Sequence, residues 1–235
     1  MFFFDPVWFL VMLPPFIFMI YAQMKVSSAF KKYSKVANSQ HITGLEAARA
    51  LLRANGLSNI KIEGVKGRLG DHYDPGKKVL RLSPAVANTP SVAALGIVAH
   101  EVGHAVQDKV GYAFLRFRTS LVPAASVGSN LGFIFVILGF LIYLFSGSEF
   151  GSMAVLAGIF LFSLAVLFSL ITLPVEFNAS NRARQMLRST GMVSVQEYNG
   201  ASAVLSAAAM TYVAATLQAV AQLFYFVLMF MGMRR

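Results

Sequence analysis

The chain has 235 residues, enough for one soluble domain or one small membrane bundle, and with 57% hydrophobic and only 13% charged residues it cannot present an ordinary soluble surface. Its net charge of +10 comes without the aromatic–basic interleaving of nucleic-acid binders, so no nucleic-acid partner is expected. The absence of cysteine excludes disulfides and leaves His and carboxylate groups as the ligands for any zinc.

The first element is an apolar run from Phe2 to Met24. It supplies the roughly 20 apolar residues that one membrane crossing needs. It lacks a basic n-region and a small-residue cleavage site, so it is read as a retained anchor. Pro14-Pro15 predict a kink near its middle.

A soluble-looking region follows, from residue 25 to 120. Ile42–Arg53 reads as a helix, opened by a capping box (Thr43 and Glu46) and closed by Asn55-Gly56. Ile60–Val65 and Lys78–Leu82 read as strands of a small β-hairpin, separated by the turn-rich run Gly70–Gly76. Ser91 caps a further helix reaching about Asp108. Gly111–Leu121 reads as an amphipathic helix along the membrane surface, with Arg116 and Arg118 on its wet side.

Three more candidate spans complete the chain: Pro123–Phe145, Ser152–Leu173, and a long one within Ala201–Met233. The Ala-rich start of the last is expected to pack on protein and not on lipid. The expected organisation is thus a first transmembrane helix over 1–24, a zinc-peptidase region over 25–120, transmembrane helices two and three over 121–174, a helix carrying an acidic ligand over 175–200, and a fourth transmembrane helix over 201–235. Eighteen of the 20 Lys and Arg residues fall in the connections after the first and third spans. The positive-inside rule makes those connections cytoplasmic. Arg234-Arg235 is the one discordant pair.

The chemistry sits in His100-Glu101-Val102-Gly103-His104. Two histidines four apart on a helix share a face and can reach one zinc ion. Glu101, next to the first, is placed as general base for water whose pKa zinc lowers to about 7. Gly103 removes bulk beside the site, so another segment can approach. The preceding run Val92–Ala99 is apolar, and two His and a Glu on a buried helix need a partner. A catalytic zinc wants a third protein ligand. His41 and His72 are possible. Glu176 is the better candidate, because an acidic residue just past a span needs a role. An oxyanion donor is sought among His72, Tyr73 and Arg182, against the plainer reading of His72 and Tyr73 as turn residues beside Asp71 and Asp74.

Further stretches carry a family resemblance. They are Gly67–Pro75, Leu80–Pro84, Ser91–Ala94, His100–Gln107, Pro174–Ser180 and Met210–Ala215. Together they resemble the membrane neutral zinc metallopeptidase family (YugP-like), over nearly the whole chain. The layout is more distantly similar to gluzincin-type enzymes of the HtpX and CAAX prenyl protease kind. The resemblance implies a mainly α membrane protein of about four transmembrane helices with a cytoplasmic α+β gluzincin-like domain. It implies one Zn2+ per chain held by His100, His104 and Glu176, with Glu101 as base. It implies an endopeptidase in a prokaryotic plasma membrane, acting on peptides or membrane proteins, its protein partners and oligomeric state left open. The distant relatives place an Asp one turn after the ligand Glu to bond a zinc histidine. Here Ser180 stands there, with Asn178 and Asn181 nearby. The residues speak against two other classes. A zinc-binding scaffold without catalysis has no use for an intact Glu101, and an ion channel or transporter would need more intramembrane charge than these spans carry.

Overall fold

The fold is taken from a computed structural model that describes residues 6–67 and 70–233. Arg68 and Leu69 of the family-like stretch, the start of the first apolar run and the Arg234-Arg235 pair lie outside the described residues. The elements in chain order are α1 (Pro6–Tyr33), α2 (Gly44–Ala54), β1 (Lys61–Gly64), β2 (His72–Asp74), β3 (Val79–Leu82), α3 (Pro84–Ala87), α4 (Val92–Lys109), α5 (Ala113–Ser146), α6 (Glu149–Ser189) and α7 (Val195–Met233). The protein is mainly helical. Among the described residues α1, α5, α6 and α7 are long and apolar enough to cross a membrane, which makes this a multi-pass membrane protein.

The chain divides into two compact units. One holds α1 as far as Tyr21, Phe117–Leu173, and α7 from Tyr212 onward. Its helices meet through glycines. A Cβ on Gly128 would lie 2.4 Å from the Leu161 carbonyl oxygen, and one on Gly139 2.7 Å from that of Gly151. Small residues of this kind let backbones approach where lipid offers no hydrophobic drive to associate. Val136, Tyr225 and Phe226 form its buried cluster, with Phe162 edge-on to Phe226.

The other unit holds Ala22–Arg116 and Pro174–Thr211. Its core is a conventional one. Leu51, Leu52, Leu80, Leu82, Val92, Leu95, Val98 and Val102 are buried together with Leu187, Ala201 and Leu205. The early turns of α7 thus pack on protein, as their Ala-rich composition suggested.

Local signals explain most element ends. Thr43 Oγ1 accepts from the Glu46 N–H while Glu46 Oε2 accepts from the Thr43 N–H, which is the reciprocal capping box. Ser91 Oγ accepts from the Ala94 N–H at the start of α4. Gly111, at φ +64°, lets the chain turn between α4 and α5.

Three expectations change. The two strands read from sequence, β1 and β3, pair parallel and do not form a hairpin. The antiparallel partner of β3 is β2, within the run expected to be turn, and the order is β1-β3-β2. The expected surface helix at Gly111–Leu121 is, from Ala113 on, the start of α5, which continues through Pro123 into the apolar run. Pro14 and Pro15 lie inside α1, which is one helix on both sides of them.

Candidate metal centre

Helix α4 is buried along most of its length, because Val92–Ala99 supply apolar side chains on nearly every face. The polar residues of its second half are therefore held within the fold. His104 and Glu101 are 8% and 9% exposed, and Gln107 is fully buried. The spacing of four sets the two imidazoles on one face, with ring centroids 4.7 Å apart.

Helix α6 supplies the facing carboxylate. A Cβ on Gly103 would lie 2.7 Å from the Ala179 carbonyl oxygen, so glycine is what lets the two backbones close to this distance. Glu176, one turn before Ala179, then meets both histidines. His100 Nε2 is 3.1 Å and His104 Nε2 3.6 Å from Glu176 Oε2. One ligand atom from each of the three residues lies within 4.8 Å of the others, and Glu176 is 2% exposed.

The remaining ring nitrogens have partners of their own. Ser180 Oγ lies 3.2 Å from His100 Nδ1, and Gln107 Oε1 lies 3.0 Å from His104 Nδ1. Ser180, one turn after Glu176, is thus the residue that meets the second nitrogen of His100. Gln107 joins this set through the fold. Its only sequence signal is a spacing of three from His104, on the same face.

The electrostatics follow from burial. Desolvation pushes the Glu176 carboxyl up, yet hydrogen bonds from His100 and His104 and their charge outweigh it and hold it far below the usual range. Desolvation pulls the His104 imidazole down, but the Glu176 hydrogen bond and the Glu101 charge raise it on balance. A buried carboxylate facing two imidazoles needs positive charge between them, from a ring proton or a bound cation. A donor set of two imidazoles and one carboxylate suits zinc, and leaves room in its coordination for water or substrate. The residues present therefore fit the metal.

Glu101 lies beside the cluster with its Oε2 accepting from the Tyr73 N–H at 3.0 Å. The other predicted groups are placed elsewhere. The Tyr73 hydroxyl donates to Asp108 Oδ2 at 2.7 Å, seven residues along α4 from Glu101. Burial and that bond push the phenol pKa up. His72 projects to the opposite face of the sheet, where Nδ1 meets the Gly70 carbonyl at 2.7 Å and Nε2 the Arg81 guanidinium at 3.2 Å. Asp74 accepts from the Lys77 N–H at 3.0 Å, the local bond a turn acid makes, while Asp71 reaches twelve residues on to accept from the Ser83 N–H at 2.7 Å. Arg182 Nε donates to Asn178 Oδ1 at 2.8 Å. His41 is exposed and holds φ +53°, outside the ligand cluster.

Comparison with known proteins places the chain in a family. Residues 8–231 match the model of the family described as "Putative neutral zinc metallopeptidase". The chain is 45% identical over 215 residues to the "Putative membrane protease YugP" of Bacillus subtilis (strain 168), covering 91% of this chain and 92% of that protein. No solved structure matches. Matched over nearly its whole length, the chain belongs to this neutral zinc metallopeptidase family.

Proposed function

We propose that the protein is an integral-membrane zinc endopeptidase whose site faces the cytoplasm and acts on membrane-associated proteins or peptides. The observation that carries this reading is the convergence of His100, His104 and Glu176 within 4.8 Å, next to a buried Glu101. His100 and His104 would hold the metal through Nε2 and Glu176 through its carboxylate. Bound there, zinc supplies Lewis acidity toward water and toward the scissile carbonyl oxygen.

The chain's own residues do the rest. Glu101 Oε2 is held by the Tyr73 N–H, which leaves Oε1 as the atom to act as base. Glu101 takes one proton from that water as its oxygen bonds to the carbonyl carbon. It then passes the proton to the amide nitrogen as the C–N bond breaks, so water is consumed and an acid and an amine are released. Strand β2 is at the edge of the sheet, and its Tyr73 N–H faces the base. An extended substrate segment alongside β2 would bring its backbone to Glu101.

The test is Glu101→Gln in the full-length protein, purified in detergent and used as a substrate trap. The expected result is zinc retained, proteolysis lost, and a captured polypeptide that the native protein cleaves. Native protein that carries full zinc but cleaves nothing from a membrane-protein pool would mark a zinc-binding scaffold instead. Orientation is open to a separate test, because the chain is free of cysteine. Single cysteines at Ser58 and Ser148, labelled with an impermeant thiol reagent in intact cells, should react at Ser148 only.

A further inference from the structure

Gln107 is fully buried, and three hydrogen bonds account for its side chain. Its Nε2 donates to the Val175 carbonyl at 2.8 Å and to Asn178 Oδ1 at 3.0 Å. Its Oε1 faces His104 Nδ1 at 3.0 Å. The direction of this chain of bonds is set from both ends. A peptide carbonyl only accepts, so the amide nitrogen of Gln107 must face Val175. The Arg182 guanidinium only donates, so Asn178 must turn its oxygen inward, where it accepts from both Arg182 and Gln107. The Gln107 oxygen is then left facing His104. Nδ1 must carry the proton, and the lone pair of the neutral ring falls on Nε2, the atom that points at Glu176.

We propose that Gln107 is a positioning residue of the metal centre. It holds His104 in the tautomer with Nε2 free, and it ties α4 to the backbone immediately before Glu176. One side chain thereby orients one ligand directly and seats the helix turn that carries another. The proposal rests on the reading of His100, His104 and Glu176 as zinc ligands. It goes beyond that reading by giving a role to a residue that would touch neither metal nor substrate. Asn178 and Arg182 extend the same chain of bonds outward.

The experiment compares full-length wild type, His104→Ala, Gln107→Leu and Gln107→Glu in detergent. Zinc affinity is read by competition with a chromogenic chelator, coordination by the visible spectrum of the cobalt-substituted protein, and folding by the melting of the metal-free form. Gln107→Leu keeps the volume and loses every bond, and is expected to weaken zinc binding about 10–100-fold and to shift the cobalt spectrum. Gln107→Glu keeps an acceptor facing Nδ1, and is expected to recover part of that loss. Equal zinc affinity in wild type and Gln107→Leu overturns the proposal. So does an equal loss in both Gln107 variants that merely follows a lowered melting point of the metal-free protein. Should Gln107→Leu fail to fold, Gln107→Glu decides alone. Its carboxylate makes the Nδ1–H bond charge-assisted, and an unchanged cobalt spectrum then overturns the idea. Failure of the underlying zinc reading looks different: wild type would bind no zinc, or His104→Ala would bind it as well as wild type.

Discussion

The two units solve the problem of helix packing by different physics. In the unit holding Phe117–Leu173, helices meet through Gly128, Gly132, Gly139, Gly151 and Gly158, and large apolar side chains such as Phe145, Phe160 and Leu144 stay exposed. That suits a lipid solvent, in which an exposed Phe costs nothing and close backbone contact supplies the attraction. In the unit holding α4, Leu and Val side chains are buried in a core, and the polar groups that remain inside are satisfied in pairs. Among the described residues the candidate metal cluster lies in the second unit, and there is a physical reason for that. There the buried polar groups have partners close enough to fix an imidazole, a carboxylate and an amide relative to one another. Glycine serves both units, but at Gly103 the close approach also delivers a carboxylate to two histidines.

The sharpest way to break this contrast is to remove a ligand. His100→Ala, His104→Ala and Glu176→Ala should each lose zinc and all proteolysis, while the apolar helices keep their helical circular dichroism. Zinc per polypeptide by elemental analysis is the measurement, and full zinc with activity in Glu176→Ala would remove that residue from the ligand set. Glu101→Gln should keep zinc and lose about 10²–10⁴-fold in kcat, the range for a general acid–base group.

Gly103→Ala tests the close approach. Its methyl would meet backbone, which cannot swing aside as a side chain can. Overpacking of this kind costs about 1–3 kcal/mol, and zinc affinity should fall with it. Gly139→Ala in the other unit meets the Gly151 backbone just as closely. It should lower the melting temperature without changing zinc affinity in the folded fraction. Equal effects of both substitutions on zinc would erase the distinction between the units.

Tyr73→Phe should cost about 1 kcal/mol through the lost bond to Asp108 and leave kcat within a few-fold. A fall in kcat of a hundredfold with KM unchanged would make the hydroxyl an oxyanion donor after all. The smallest effect is expected for Thr43→Ala, which removes the α2 cap at about 1 kcal/mol or less in thermal unfolding, with activity intact.

Much of this was legible because it is local. A spacing of four puts His100 and His104 on one helix face in any context, and Thr43 with Glu46 writes a cap into four residues. Apolar length alone marked the spanning helices. The strand pairing was not legible. A three-residue β2 is shorter than any periodicity signal, and whether β1 pairs with β3 parallel or antiparallel depends on the path of the chain between them. The role of Tyr73 divides in the same way. Its place in the turn-rich run drew attention, but strand alternation buried its ring toward Asp108, and its backbone N–H is what reaches Glu101.

The sequence by itself determined the helices, the membrane character, the zinc motif and the likeness to a zinc peptidase family, because each is written in residue type and short-range spacing. The sequence marked Glu176 as a candidate and Gly103 as a place for close approach, but only packing shows that Glu176 meets both histidines, that Ser180 and Gln107 meet the two rings, and that the Ala179 backbone is what comes up against Gly103. Those contacts join residues whose separation along the chain carries no periodic signal. They exist only once α4 and α6 are packed, where burial turns each unpaired polar atom into a cost and so selects the arrangement in which all are paired.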